Sequence, residues 1–313
     1  VKTVRLSRDS ITEELNLDPS VTAVGFFDGI HKGHQKVIQT AKDKADELEL
    51  KCAVMTFDPH PSVVLKKGKQ QAYYITPLSQ KEQLLEEIGV DYFFVVTFDT
   101  SLANLSPQQF VDDFFVRLNV SHVVAGFDFS YGHMGKGNMS DLPEYGRGRF
   151  GQTVISKVEK DEEKVSSTRI RSLLDDGEIA EVNELLGRRY SVKGTVVKGD
   201  QRGRTIGYPT ANIELNENYY LPKIGVYAVS AHFDGELYYG MANLGYKPTF
   251  ITQADNPSLE VHLFDVKQDL YGRSLTVYFH QMIRDERKFN GVEEVKQQLV
   301  KDETHIREFF RIG

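Results

Sequence analysis

His31 and His34 stand three residues apart in the segment GFFDGIHKGH (25–34). Two imidazoles at this spacing can both donate hydrogen bonds to one phosphate, without the permanent charge of lysine. An apolar run, VTAVGFF (21–27), precedes them and reads as a buried strand. After them, Val37, Ile38, Ala41, Ala45 and Leu48 recur at helical spacing within residues 34–50. The pair is therefore expected on a tight turn and on the first residue of a helix, where unpaired N–H groups and the positive dipole end receive anions. Gly29 and Gly33 allow the sharp turn and a close approach to a ligand. The same residues also fit an ordinary helix start with two exposed histidines. A zinc site is disfavoured, because the chain has one Cys and no H-E-x-x-H string.

Four further stretches carry groups able to do chemistry. VSSTRIRSLL (165–174) puts the hydroxyls of Ser166, Ser167 and Thr168 at a helix start, followed by Arg169 and Arg171. That is ordinary N-cap chemistry or, with guanidinium planes beside it, a phosphate clamp. GFDFSYGHMGKG (126–137) follows a strand with Asp128 and then a glycine-rich loop; no Walker A string occurs anywhere. GDQRGRTIGYPTAN (199–212) sets Gly199, Gly203 and Gly207 at spacing four. It then presents Thr210 and Asn212 on one face of an extended segment, two neutral oxygens of the kind Mg²⁺ accepts beside a nucleotide. It equally fits a bulged hairpin with turn residues. SLEVHLFD (258–265) alternates cleanly, with Leu259, Val261 and Leu263 on one face and Glu260 and His262 on the other. Glu260 is thus a candidate general base towards an alcohol, or a solvated outer-face carboxylate.

The elements that position these groups differ between the two halves. From residue 21 to about 155 strands and helices alternate: KCAVMTF (51–57), DYFFVVTF (91–98) and SHVVAGF (121–127) are nearly continuous apolar runs. Between them, SQKEQLLEEIG (79–89) reads as a helix with a Ser79/Glu82 capping box and a stop at Gly89, and Ser106-Pro107-Gln108-Gln109 opens another. This rhythm predicts a parallel, doubly wound sheet with ligands at the carboxyl ends of its strands, where TFDPHPS (56–62) also falls with His60. Residues 175–190 read as a short helix stopped at Gly187 and as the linker, giving domains 1–186 and 187–313. Beyond it, short alternating runs such as 190–199, 226–233 and 275–283 between turn residues predict a small antiparallel β-barrel. A terminal helix, about 291–310, follows, with Asn290 and Glu293 as its N-cap pair and Val292, Val295, Leu299 and Phe309 as its buried stripe.

Composition bounds the rest. A chain of 313 residues, 40% hydrophobic and 27% charged, has room for two ordinary cores. The polar opening VKTVRLSRDS and the absence of any membrane-length apolar run predict no signal peptide and no membrane partner. The single Cys52 fits a reducing cytoplasm, and the net charge of −7 argues against a general nucleic-acid binder. Oligomeric state stays open, a weak homo-oligomer included.

Residues 25–34 resemble the HxGH signature of nucleotidylyltransferases and, more closely, the GxFDGxHxGH string of bacterial FAD synthetases. VSSTRIR and GFDFSYG are similar to further blocks of that adenylyltransferase module. The segment 199–212, IGVYAV (224–229), NLGYKPTF (243–250), EVHLFD with DLYG (269–272) and IRDERKF (283–289) resemble the flavokinase module. In this order they match the layout of bifunctional bacterial riboflavin kinase/FAD synthetases. Phe26, Lys32 and Tyr131 depart from the commoner residues of that pattern without removing a reactive group.

The resemblance implies ATP binding by Gly25, Phe27, Asp28, His31, His34, Asp128, Ser167, Thr168 and Arg171 in the first domain, with His31 and His34 catalytic. It implies ATP binding by Gly199, Gly203, Gly207, Thr210 and Asn212 in the second. There Mg²⁺ would sit on Thr210 and Asn212, Glu260 would be the base, and riboflavin, FMN and FAD would be substrates or products. The competing expectations are an HxGH adenylyltransferase for another small molecule, with the barrel as a binding module, and a flavin-sensing or RNA-binding regulator.

Overall fold

The computed structural model describes residues 1–8, 15–65, 71–199, 202–246, 257–266 and 268–312. Its contacts divide the chain into two compact units, Val1–Ser167 and Thr168–Gly313.

In the first unit, strands β1 (Lys2–Leu6), β2 (Ser20–Val24), β3 (Lys51–Asp58), β4 (Tyr92–Thr97), β5 (Val120–Gly126) and β6 (Gly151–Ile155) form one sheet in the order β1-β4-β3-β2-β5-β6. Every pairing in it is parallel. Its central strands β2, β3 and β4 are almost wholly buried because both faces are covered, whereas the edge strands β1 and β6 are partly exposed. Val21, Ala23, Val54 and Phe93 pack on one side with Val37, Ile38 and Ala41 of helix α1 (Lys32–Leu48). Val24, Met55 and Phe94 pack on the other with Phe110, Phe114 and Phe115. The order reverses at β2, whose neighbours are β3 and β5, so the turn that follows β2 opens at the switch point of the sheet. The edge strand β1 lies in the opening segment that the sequence marks only as polar.

Ser106 and Gln109 make the expected reciprocal capping box at the helix Pro107–Val111. Helix α2 (Leu78–Ile88) instead takes Pro77 as its N-cap, with no side-chain cap bond. The Lys81 amide donates to the Pro77 carbonyl at 2.9 Å, so Ser79 is already inside the first turn and the predicted Ser79/Glu82 box does not form. Glu82 accepts instead from the Thr3 hydroxyl. Gly89, at φ 85°, ends the helix as expected. Cys52 is buried in β3, and burial pushes its thiol up to about 12, which removes it as a nucleophile.

In the second unit, β7 (Tyr190–Val197), β8 (Ala211–Leu215), β9 (Gly225–Phe233), β10 (Glu236–Gly245), β11 (Ser258–Leu263) and β12 (Ser274–Asp285) close into an antiparallel barrel in the order β7-β8-β11-β10-β9-β12. The segment read as a linker is helical: the helix begun at Ser167 runs to Asp176, Gly177 (φ 83°) breaks it, and a second helix spans Ile179–Leu186 before Gly187. Asn183 ties that second helix to the barrel, donating to the Phe279 carbonyl at 2.9 Å and accepting from the Tyr190 amide at 2.6 Å. The Lys223 amide donates to the Leu174 carbonyl at 2.8 Å.

The terminal helix spans Val292–Phe310 with Gly291, not Asn290, as its N-cap. Asn290 donates through its backbone to Glu294 at 2.9 Å, one residue beyond the predicted partner. Its buried stripe also differs from expectation: Val292 and Phe309 are exposed, and Asp302 and Ile306 are buried, with Leu299 and Phe310 packed beside them. An apolar template passes over Asp302, which is buried because Arg284 neutralises it through two nitrogens, at 3.0 and 2.9 Å from Oδ2.

His280 on β12 meets the same helix. It hydrogen-bonds Ser230 at 2.8 Å and faces Phe310 edge-on, and burial followed by the nearby Arg189 lowers it to about 4. Its unfolded value is about 6.5, so the folded state holds fewer protons between the two values. Stability contributed by neutral His280 is whole above that window and drains as pH falls through it. Thermal melts between pH 7 and 4 are expected to show the fall, and His280→Gln to flatten it.

Candidate active sites

The first cluster forms around the turn after β2. The Gly25 amide donates to the Met55 carbonyl at 3.1 Å, holding the exit of β2 to β3. Phe27 and Ile30 then adopt left-handed φ values of 50° and 39°, and Gly29 one of 93°. Non-glycine residues hold such angles only where their surroundings fix them. Both side chains are buried, and the Ile30 amide closes the turn onto the Phe27 carbonyl at 3.2 Å. A Cβ on Gly25 would stand 3.1 Å from the Phe27 ring, so the ring packs closely over this glycine.

His31 is the N-cap of α1, and His34 the third helical residue rather than the first. The His34 amide donates to His31 Nδ1 at 3.2 Å. With Nδ1 accepting, the proton of neutral His31 resides on Nε2. The two rings stack at 3.6 Å between centroids, and Phe27 meets His34 edge-on at 5.3 Å. A Cβ on Gly33 would lie 3.1 Å from the His31 ring, so this glycine makes room for the imidazole against the helix backbone. Asp28 is buried; its carboxylate accepts from the Thr76 amide at 3.0 Å and its carbonyl from the Ser167 hydroxyl at 2.8 Å. The expected residues Gly25, Phe27, Asp28, His31, His34 and Ser167 therefore share one neighbourhood.

The remaining members of that set have other contacts. Asp128 is exposed and ion-paired with Lys164, which also lies 4.9 Å from the centre of the Phe127 ring. Thr168 and Arg171 belong to the second unit. Thr168 is exposed, and the Arg171 guanidinium lies 5.4 Å over the ring of Tyr220, whose hydroxyl bonds Asp175 at 2.9 Å. Sequence reasoning passed over Thr56, Thr76 and Lys81, all buried beneath the turn. The available signal was Lys81 itself, a charge in line with Leu78 and Leu85 on the apolar stripe of α2.

The second cluster is set by strand register. Asn212 on β8 and Asn243 on β10 both pair with Glu260 on β11. Leu259, Val261 and Leu263 are buried, whereas Glu260 and His262 take the opposite face, shared across the ladder with Met241, which packs on Ile306 of the terminal helix. The Thr210 hydroxyl donates to Glu260 Oε2 at 3.3 Å. Two cavities flank this segment. One, about 620 Å³, is lined by Pro209, Thr210, Val261, Leu263, Asp269 and Tyr271. The other, about 570 Å³, is lined by Tyr208, His262 and Phe264, with Lys296, Glu303 and Arg307 from the terminal helix.

The three glycines of 199–212 first serve the chain itself. A Cβ on Gly199 would overlap the Asn212 side chain and one on Gly203 the Tyr208 carbonyl, while Gly207 has a φ of 88°. Residues 200–201 and 247–250, the latter within the NLGYKPTF block, lie outside the described residues. Among the described residues no cluster of three or more His, Cys, Asp or Glu side chains forms a metal cage. The hydroxyl of Thr210 beside the carboxylate of Glu260, with the Asn212 amide on the paired strand, is instead a sparse hard-oxygen set. It fits a Mg²⁺ that arrives with phosphate oxygens to complete its shell.

Comparison with known proteins agrees with this division. The FAD synthetase family model matches residues 13–169 and the riboflavin kinase model residues 186–310. The chain belongs to the bifunctional riboflavin kinase/FMN adenylyltransferase family. It is 49% identical to the bifunctional riboflavin kinase/FMN adenylyltransferase of Listeria monocytogenes, over 99% of this chain and 98% of that one. It is 48% identical to that of Bacillus subtilis over 93% and 92%, and 38% identical to that of Escherichia coli K12 over the same shares. A solved structure described as a macrolide-efflux protein from Streptococcus pneumoniae superposes with a TM-score of 0.89 at 34% identity, covering 98% of this chain and 99% of that one. Among the described residues no helix is long and apolar enough to cross a membrane.

The glycine packing in the kinase module yields a direct test. Gly199→Ala displaces the Asn212 side chain, and FMN formation is expected to fall by about two orders of magnitude, the cost of roughly 1 Å of misplacement. FAD formation from supplied FMN, measured by chromatography on the same preparation, should be unchanged.

Proposed function

We propose that the family's two reactions run at the two clusters just described, adenylyl transfer in residues 1–186 and riboflavin phosphorylation in residues 187–313. The observation carrying this reading is that each unit assembles its own polar cluster from its own strands: a stacked histidine pair at the switch point of the parallel sheet, and Thr210, Asn212 and Glu260 across barrel strands β8 and β11.

In the barrel, ATP occupies the cavity lined by Thr210, with its phosphates towards the glycine segment containing Gly199, Gly203 and Gly207. Riboflavin occupies the neighbouring one, where Tyr208, His262 and Phe264 offer aromatic faces to the isoalloxazine. Glu260 takes the proton of the flavin 5′-hydroxyl as that oxygen attacks the γ-phosphorus, and ADP leaves. Thr210 and Asn212 would hold a Mg²⁺, which when bound would neutralise charge on the phosphates. Such transfers are mainly positioning and electrostatics, so Glu260 beside two neutral ligands suffices.

In the first unit, the FMN phosphate attacks the α-phosphorus of a second ATP and pyrophosphate leaves. A phosphate monoester is already anionic at neutral pH, so the reaction needs a cradle more than a base. His31 Nε2–H, His34 and the amides opening α1 supply it from the turn that Gly25, Phe27 and Asp28 shape, with the Ser167 hydroxyl beside them. Asp128, released from Lys164, reaches the nucleotide. Both reactions use soluble substrates, and we place the enzyme in the cytoplasm.

His31→Ala or His34→Ala is expected to cut FAD formation by about 10²-fold, as for removal of one transition-state donor, and to spare FMN formation. Glu260→Gln is expected to cut FMN formation by about 10²-fold or more and to spare adenylylation of supplied FMN. Loss of both activities in a folded single variant would refute the division of labour.

A further inference from the structure

Lys81 is only 3% exposed, on a helix that otherwise buries leucine against the sheet. A lysine is fully buried only where something compensates its charge. Here Nζ donates to the Phe26 carbonyl at 2.9 Å and approaches the Thr56 hydroxyl at 3.3 Å; Thr56 in turn donates to the same carbonyl at 2.9 Å. The ammonium also lies 5.3 Å from the centre of the Phe26 ring, whose other neighbours are Tyr74, stacked at 6.4 Å, and His60, edge-on at 4.5 Å. Phe26 is the residue between Gly25 and the left-handed Phe27. The carbonyl gripped from below thus belongs to the turn that carries His31 and His34.

We infer that Lys81 is a positioning residue for adenylyl transfer: its ammonium pins the Phe26 carbonyl and so fixes the turn on which the stacked histidines stand. The inference rests on the assignment of adenylyl transfer to that turn. Backbone held at φ 50° and 39° relaxes unless it is tied down, and Lys81 adds to the Thr56 hydroxyl a second, charge-assisted donor on the Phe26 carbonyl. The charges acting on the ammonium are Asp28 from the turn and Asp58 from the end of β3, both favouring the cation; the Tyr74 hydroxyl is 3.5 Å from Asp58. Burial opposes them and outweighs them, leaving Lys81 at about 8. Below that value the tie carries its full charge; above it the tie weakens to a neutral amine.

The test uses the full chain and separate assays of FMN and FAD formation. In the wild type, kcat for FAD formation should fall as pH rises through about 8, and kcat for FMN formation should not follow it. Lys81→Met should lower kcat for FAD formation by about tenfold or more, move KM for ATP and FMN less than kcat, and abolish the alkaline limb. Lys81→Met with wild-type kcat and an intact limb overturns the proposal. If Lys81→Met does not fold, Thr56→Val decides: a lowered kcat with FMN formation intact supports the tie, and an unchanged kcat overturns it. His31→Ala, run beside them, separates the two levels of inference. If it retains FAD formation, the assignment of the site fails; if it loses FAD formation while Lys81→Met does not, only the role of Lys81 fails.

Discussion

The hydrogen bond from the His34 amide to His31 Nδ1 is the contact on which the N-terminal site depends. It caps α1 with the side chain proposed to bind phosphate, so the helix and the candidate site start at the same residue. It consumes the acceptor nitrogen of His31 and thereby commits the other nitrogen to donation. It also leaves His34 close enough for its ring to stack on His31 at 3.6 Å. Gly33 favours this arrangement, since a Cβ there would stand 3.1 Å from the imidazole. The HKGH string is thus a packing solution as much as a chemical one.

In the barrel the corresponding constraint is register. A one-residue slip between β8 and β11 would send Asn212 and Glu260 to opposite faces, because side chains alternate along a strand. The alternation of Leu259, Val261 and Leu263 forbids that slip by tying register to burial. The placement of Asn212 beside Glu260 and the stability of the barrel are therefore set by one pattern. The terminal helix adds the outer wall of the second cavity, and its buried Asp302–Arg284 pair fastens it to β12 through charge that the barrel face would otherwise exclude.

Much of this was legible in the sequence because it is written in local patterns. Continuous apolar runs announced strands covered on both faces, alternation announced the barrel, and the Ser106–Gln109 box and the Gly89 and Gly187 stops needed no tertiary information. What escaped were decisions taken between distant segments. Edge strand β1 exists because β4 pairs with it, and helix α2 begins at Pro77 because its first turn closes there. Asp302 and Lys81 are buried charges whose partners, Arg284 and the Phe26 carbonyl, lie 18 and 55 residues away. No periodicity encodes such a partner. The same holds for the glycines of 199–212, whose spacing suggests phosphate but whose closest approaches are to Asn212 and Tyr208.

If the proposed reading holds, each unit carries a nucleotide site of its own. Isothermal titration of the full chain with a non-hydrolysable ATP analogue and Mg²⁺ tests this most directly. The account predicts two nucleotides bound per chain, with one binding event lost in His31→Ala and the other in Thr210→Ala. A single nucleotide per chain, lost in both variants alike, would contradict it.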